Sequence, residues 1–181
     1  MDRQKAIRAI EDLLDALGED RTREGLKDTP RRVADAYAEL LSGEGQSADE
    51  HLSKTFVSDC GDMVLEKDIS FSSTCEHHLM PFFGKIAIAY IPDGKVVGLS
   101  KLARTVEVFS KRLQLQERLT SQIADEIMRC LAPKGVMVVC EAEHTCMTCR
   151  GVKKAGSKTL SYCTKGDFPA EKKKEVFELL K

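Results

Sequence analysis

"GKIAIAYIPDGKVVGLS", residues 84–100, is the stretch on which the reading of the chain turns. Residues 84–91 and 95–99 are both β-prone, and Asp93-Gly94 stands between them. That pattern predicts two strands joined in a hairpin. Ser100 then offers a helix cap, and Leu102, Val106, Phe109 and Leu113 recur at helical spacing behind it. A second helix is expected from Gln116, with Leu119, Ile123, Ile127 and Leu131 as its apolar stripe and Pro133 and Gly135 to end it.

Working outward, "MVLEKDISFSS" (63–73), "VMVVCEAEHTCM" (136–147) and "SKTLSYCT" (157–164) read as further strands, and "AEKKKEVFELL" (170–180) as a closing helix. Towards the N-terminus, Ile7, Ile10, Leu14 and Leu17 share one helical face that Gly18 stops. Thr29 suits the cap of a second helix, Pro30 its first turn and Gly43 its end, with Val33, Tyr37, Leu40 and Leu41 as the buried stripe. The expectation is a helical hairpin and polar connector over 1–54, then a domain over 55–181. Helix pair, strands, two helices, strands is an α+β order with antiparallel strands, not the alternation of a doubly wound sheet.

The 181 residues are enough for one real core. Hydrophobic residues at 42% and charged residues at 31% are ordinary for a globular protein. A net charge of -1 gives no reason to expect nucleic acid or an anionic membrane as partner. No apolar run reaches the ~18 residues of a membrane span, and the first 20 residues alternate charged and apolar side chains instead of forming a secretory signal. The expected compartment is the cytoplasm. Seven cysteines, an odd count, point to reduced thiols or metal ligands and away from a disulfide framework. Cys130 and Cys140, in apolar surroundings, read as buried small hydrophobes.

"STCEHHLMPFFGK" (73–85) gathers Cys75, His77 and His78, and "EAEHTCMTCRG" (141–151) adds His144, Cys146 and Cys149. Cys75 and His78 have a C-x-x-H spacing that a tight turn can present to one ion. His144 and Cys146, two apart on an expected strand, leave from one face. Two arrangements compete. A closed zinc site would use Cys75, His78, Cys146 and Cys149. An open one would use only Cys75, His78 and Cys146, leaving a position for water and His77 and His144 as proton carriers. The signatures of a nucleobase deaminase and of the common metalloprotease helix are both missing. "GLSKLART" (98–105) sets Ser100, Lys101 and Arg104 at a helix start, where partial positive charge favours phosphate, and Arg150 follows the second ligand pair. No P-loop motif occurs. Gln116 and Glu117 open the next helix; a carboxylate beside an amide can pair with a guanine edge, but from the residues alone the acid is explained first by the preference of a helix N-terminus for negative charge.

Together, "GEDRTREGLKDTPRRVADAY", "FSSTCEHHLMPFFGKIAIAYIP", "VVGLSKLARTVEVFSKRLQLQERLTSQIA" and "EAEHTCMTCRGVKKAGSKT" resemble the GTP cyclohydrolase I family over most of the chain. The resemblance implies a tunnelling fold, an antiparallel four-stranded sheet backed by two antiparallel helices and preceded by the helical hairpin. It implies Zn2+ on Cys75, His78 and Cys146, with His77, His144 and Ser100 as catalytic residues. Gln116 and Glu117 would hold the guanine of GTP, Lys101, Arg104 and Arg150 its triphosphate, and Leu99 is a further substrate-binding residue. The implied reaction is GTP plus water to 7,8-dihydroneopterin triphosphate and formate, which opens folate and pterin biosynthesis. A homodecamer of two pentameric rings with inter-subunit active sites is implied as well. One departure stands out: Cys149 occupies a position where the family usually has Met.

Overall fold

The computed structural model describes residues 1–59 and 61–181; Cys60 lies outside the described residues. The chain forms two compact units, Met1–Ser42 and Gly43–Lys181. In the first, α1 (Arg3–Ala16) packs on α2 (Thr29–Leu40). Asp2 caps α1 by accepting a hydrogen bond from the Lys5 N–H. Leu14, Pro30 and Ala34 are buried, and Arg3 binds both carboxylate oxygens of Asp35 across the pair at 2.6 and 3.0 Å. Leu17, expected on the inner face, is exposed, because α1 ends one residue earlier. The residue flanking α2 is Asp28, with Thr29 already helical and Pro30 in the first turn.

The second unit begins earlier than the expected boundary after residue 54. The stretch read as a polar connector carries α3 (Asp49–Leu52), and both Ala48 and Leu52 belong to the main core at 0% exposure. Then follow β1 (Thr55–Val57), β2 (Val64–Cys75), β3 (Pro81–Ile91), β4 (Lys95–Val97), α4 (Leu99–Ser110), β5 (Leu113–Gln114), α5 (Gln116–Leu131), β6 (Gly135–His144), α6 (Thr145–Thr148), β7 (Lys158–Gly166) and α7 (Ala170–Leu179).

The α+β class holds, and β2, β3, β6 and β7 make the expected antiparallel group of four. The sheet has a fifth member, since β5 joins its edge by pairing parallel to the end of β2. The 84–99 hairpin does not form. From Phe82 to Tyr90, β3 is flanked by β2 on one side and β6 on the other, so neither edge is open to residues 95–97. The Gly94 turn (φ 71) therefore delivers β4 to β1, and the two make a separate small sheet.

Side-chain alternation gives the sheet two apolar faces. Ile86, Ile88 and Tyr90 of β3 join Val136, Val138 and Cys140 of β6 in the cluster containing Leu102, Val106, Phe109, Leu119, Ile123 and Ile127 of α4 and α5. Ala87 and Ala89 join Met137 and Val139 on the other face, against Phe168 and Val176. β6 is buried almost throughout because both faces are covered. Each large aliphatic side chain so buried contributes about 1.5–3 kcal/mol. Leu113, expected on the α4 stripe, is 40% exposed, because the chain has already left the helix for β5. Cys140 is buried as expected, while Cys130 is only half-buried and donates to Asp49 at 3.0 Å.

Candidate metal centre and active site

The turn between β2 and β3 is closed by two backbone bonds. Cys75 N–H donates to Met80 O at 2.8 Å and Leu79 N–H to Cys75 O at 2.9 Å. Leu79 takes the left-handed conformation, φ 54, which costs a non-glycine residue about 1–2 kcal/mol. The closed turn brings Cys75 Sγ to 3.8 Å from His78 Nδ1. His77 is exposed, and its ring stands edge-on to His78 with centroids 6.0 Å apart.

The second group of expected ligands does not lie on a strand. β6 ends at His144, and Cys146 sits in the helical turn α6. The expectation that His144 and Cys146 share a strand face is therefore corrected. Thr145, the first residue of α6, donates through Oγ1 to Pro81 O at 2.6 Å and so ties this turn to the start of β3. As a result, the donor atoms of Cys75, His78 and Cys146 all lie within 4.8 Å of one another. Tetrahedral zinc with sulfur at ~2.3 Å and nitrogen at ~2.0 Å holds those two atoms about 3.5 Å apart, close to the 3.8 Å seen for Cys75 and His78. The donor set therefore fits zinc, with one vertex of the tetrahedron left over. Cys149 is exposed and turns back on its own helical turn, donating through Sγ to Thr145 O at 2.8 Å.

The charges around this centre are mutually perturbing. Desolvation first, then the neighbouring Cys75 thiol, pushes the Cys146 thiol above its ordinary range, while Arg150 acts the other way. Desolvation, followed by the positive charges of Arg150 and His77, lowers His78. The exposed Arg150 is thus within electrostatic reach of both candidate ligands.

His144 ends β6 two residues before Cys146 and is outside the donor set. Its ring stacks on Phe82, with centroids 4.6 Å apart and planes 4° apart. His144 Nε2 is 2.8 Å from Gln116 Oε1. Burial lowers His144 below its ordinary value, and the nearby carboxylate of Glu117 opposes that. Glu117 is exposed at the start of α5, as a group meeting a ligand must be. Gln116 is not. Only 2% exposed, its amide nitrogen donates inward to Cys140 O (3.0 Å), Thr159 O (2.9 Å) and Ser161 Oγ (3.1 Å). The expectation that this amide faces a guanine is corrected on that ground: its donors are already spent on β6 and β7.

The phosphate-type residues are elsewhere in the chain. Leu99, Ser100 and Arg104 are exposed and Lys101 half-buried in the first turns of α4. The far end of α4 is the one near Cys75, because Ser110 O accepts from Ser73 Oγ at 2.6 Å. Leu99, Ser100 and Lys101 precede Ser110 by roughly 13–17 Å along the helix at 1.5 Å per residue, and Arg104 by about 9 Å. Within one chain Cys75, His78, Cys146, His144, Glu117 and Arg150 are linked by these contacts and charges, while Leu99, Ser100 and Lys101 stand at the opposite end of α4.

Three residues not foreseen support the site: Phe82 beneath His144, Glu76 inside the turn, and Arg118, which donates to Glu76. A second group of metal-capable donors, Asp49, Glu126 and Cys130, already holds the Arg129 guanidinium, bonded to both carboxylates.

The profile of the family described as GTP cyclohydrolase I matches residues 6–181. GTP cyclohydrolase 1 of Clostridium kluyveri (strain ATCC 8527) is 58% identical over 183 residues, spanning 100% of this chain and 99% of that protein. The protein of the same name from Clostridium perfringens (strain 13 / Type A) is 56% identical over 182 residues, 99% of this chain and 98% of the relative. That of Streptococcus pneumoniae (strain ATCC 700669) is 55% identical over 172 residues, 95% and 94% respectively. Among solved structures, the archaeosine synthase QueF-Like in its apo form aligns with a TM-score of 0.49 at 18% identity, over 62% of this chain and 100% of that one. With a family match over nearly its whole length and relatives above half identity, the chain belongs to the GTP cyclohydrolase I family.

Proposed function

We propose that the protein is a zinc-dependent GTP cyclohydrolase, converting GTP and water to 7,8-dihydroneopterin triphosphate and formate, and thereby opening a folate or tetrahydrobiopterin-type route. The observation that carries this reading is the convergence of Cys75, His78 and Cys146 with His144 and Glu117 beside them and outside the donor set. A purely structural zinc site has no use for either of the last two.

When bound by these three donors, zinc lowers the pKa of water to about 7 and so supplies a hydroxide nucleophile at neutral pH. The remaining chemistry belongs to the side chains. Glu117 receives the N1–H and N2–H donors of guanine with its carboxylate. His144 gives a proton to the imidazole nitrogen of the base as water adds at C8. His77, exposed on the turn, serves the later proton transfers, in which C8 departs as formate and the ribose opens, rearranges and recloses on the freed amines. Ser100 attends the ribose, Leu99 lines the base, and Lys101, Arg104 and Arg150 hold the triphosphate.

We further assign the second unit to the tunnelling fold and the protein to a homodecamer of two five-membered rings. Two observations support a ring. The start of α4, with Leu99, Ser100 and Lys101, is most of a helix length from the end that Ser73 holds, which supports a complete site drawing these residues from a second copy. In addition, both edges of the main sheet have open backbone groups among the described residues: β5 covers only Thr74 and Cys75 of the twelve-residue β2, and β7 pairs only with β6. The two edge strands run in opposite senses, so head-to-tail closure continues an antiparallel sheet and leaves no edge. Among the described residues no helix is long and apolar enough to cross a membrane, and the compartment we infer for an enzyme using GTP is the cytoplasm.

The test is direct. Purified protein given GTP should release formate and a fluorescent pterin, with turnover lost to a chelator and restored by Zn2+. No turnover of the zinc-loaded protein contradicts the reading.

A further inference from the structure

We propose that Gln116 is a positioning residue for His144, fixing the hydrogen on Nε2 and with it the orientation of the ring; this rests on the cyclohydrolase reading. The argument begins with the orientation of the amide. An amide can be turned either way, and its neighbours decide which end is nitrogen. Here the neighbours decide it fully. Two of the groups around Nε2 are the backbone carbonyls of Cys140 and Thr159, at 3.0 and 2.9 Å, and a carbonyl can only accept. Ser161 Oγ completes the set at 3.1 Å. The nitrogen must face these acceptors, so the oxygen must face His144.

An amide oxygen cannot donate. The 2.8 Å contact with His144 Nε2 is therefore a hydrogen bond only if Nε2 carries the hydrogen. In neutral imidazole that leaves the lone pair on Nδ1. Phe82, fully buried and stacked on the ring, removes the remaining freedom to rotate. The clamp also spans elements, because Gln116 opens α5, Cys140 and His144 lie on β6, and Thr159 and Ser161 on β7. The histidine is thereby registered against the helix that carries Glu117, the group proposed to hold the base.

A guanine contact and a positioning role predict different kinetics. With Gln116→Met, a side chain of similar size that can neither donate nor accept in this way, kcat should fall about 100-fold while the KM for GTP changes less than about threefold and zinc content per subunit is unchanged. Gln116→Glu, which keeps an acceptor towards Nε2–H, should recover part of kcat. A rise in KM of tenfold or more with kcat preserved would overturn the proposal in favour of a substrate contact, and unchanged kinetics would overturn it outright. Should neither variant fold, neutron diffraction of the wild-type protein at pH 8 decides it. Deuterium on His144 Nε2 is expected, and its absence from that atom contradicts the assignment. The neutron result needs no turnover, so it separates failure of this inference from failure of the cyclohydrolase reading, which wild-type formate release tests alone.

Discussion

Arg118, one residue beyond Glu117 on α5, donates a hydrogen bond to the carboxylate of Glu76, which lies between Cys75 and His77 in the metal turn. Arg118 also donates to Leu113 O at 2.8 Å and to Gln114 Oε1 at 3.0 Å, and the buried Gln114 amide continues to Phe109 O and Gln122. The turn that supplies two of the three donors is thus fastened to the helix that starts with Gln116 and Glu117. The guanidinium holds the Glu76 carboxyl below its ordinary range.

Loosening this fastening should weaken the metal site without removing a ligand. Supporting residues of this kind typically affect metal affinity 10–100-fold. Arg118→Met is expected to lower zinc affinity by about tenfold in competition with a chromogenic chelator, while adding zinc recovers most of the activity. An affinity equal to that of the wild type would mean the turn is held by its backbone bonds alone.

Ligands and proton carriers should separate cleanly on substitution. His144→Ala is expected to keep zinc and lose activity by at least 100-fold, whereas Cys146→Ala loses both. Metal analysis alongside formate release makes the comparison, and zinc loss from the His144 variant would count His144 among the ligands. Cys149→Met should leave activity intact; a gain would support Cys149 as an occasional fourth ligand.

Gly84 makes the packing under His144 unusually sensitive. It lies in β3 opposite Ala142, and a Cβ added there would approach Glu141 O to 1.9 Å and Ala142 Cα to 2.7 Å. Both are backbone atoms that cannot turn aside, so β3 and β6 must move apart. Gly84→Ala should destabilise by about 2–3 kcal/mol, a fall in Tm of roughly 5–10 °C. Because Phe82 and His144 pair two residues along the same two strands, activity should fall even below the Tm. Calorimetry with an unchanged Tm would contradict the close approach.

These sensitivities show where the sequence is informative and where it is not. Strand and helix identity followed from local patterns: β3, α4, α5 and β6 all come from side-chain periodicity that their own packing satisfies. Pairing is a competition among strands, which no local pattern encodes. Asp93-Gly94 is a good turn, yet β4 pairs with β1 because β3 has both edges occupied. The Cys75–His78 spacing could be read directly because one tight turn makes it. Cys146 joins them through a helical turn whose tether, Thr145 to Pro81, spans 64 residues. Gln116 looked like a ligand-facing amide because it adjoins Glu117. Successive residues on a helix point in different directions, and only the strands beneath it reveal which one faces inward.

Acid sensitivity has an identifiable source away from the active site. The Asp49 carboxyl is lowered from 3.8 to about 2 by the Cys130 thiol, Ser47 and Arg129, in that order. Since the folded-state value is depressed, the charged form stabilises the fold above about pH 3.8, and that contribution is lost as pH falls towards 2. Asp49→Asn should therefore lower Tm at pH 6, with the difference from wild type closing between pH 3.8 and 2. A difference that does not vary with pH would assign the effect to packing.

The most direct test of the central claim is the number of sulfur atoms around bound zinc, measured by X-ray absorption on the zinc-loaded protein. Cys75, Cys146 and His78 predict two sulfurs, one imidazole nitrogen and one further light atom, the position that water needs for hydrolysis of GTP. Three sulfurs would make Cys149 a fourth protein ligand, close the site, and contradict the account.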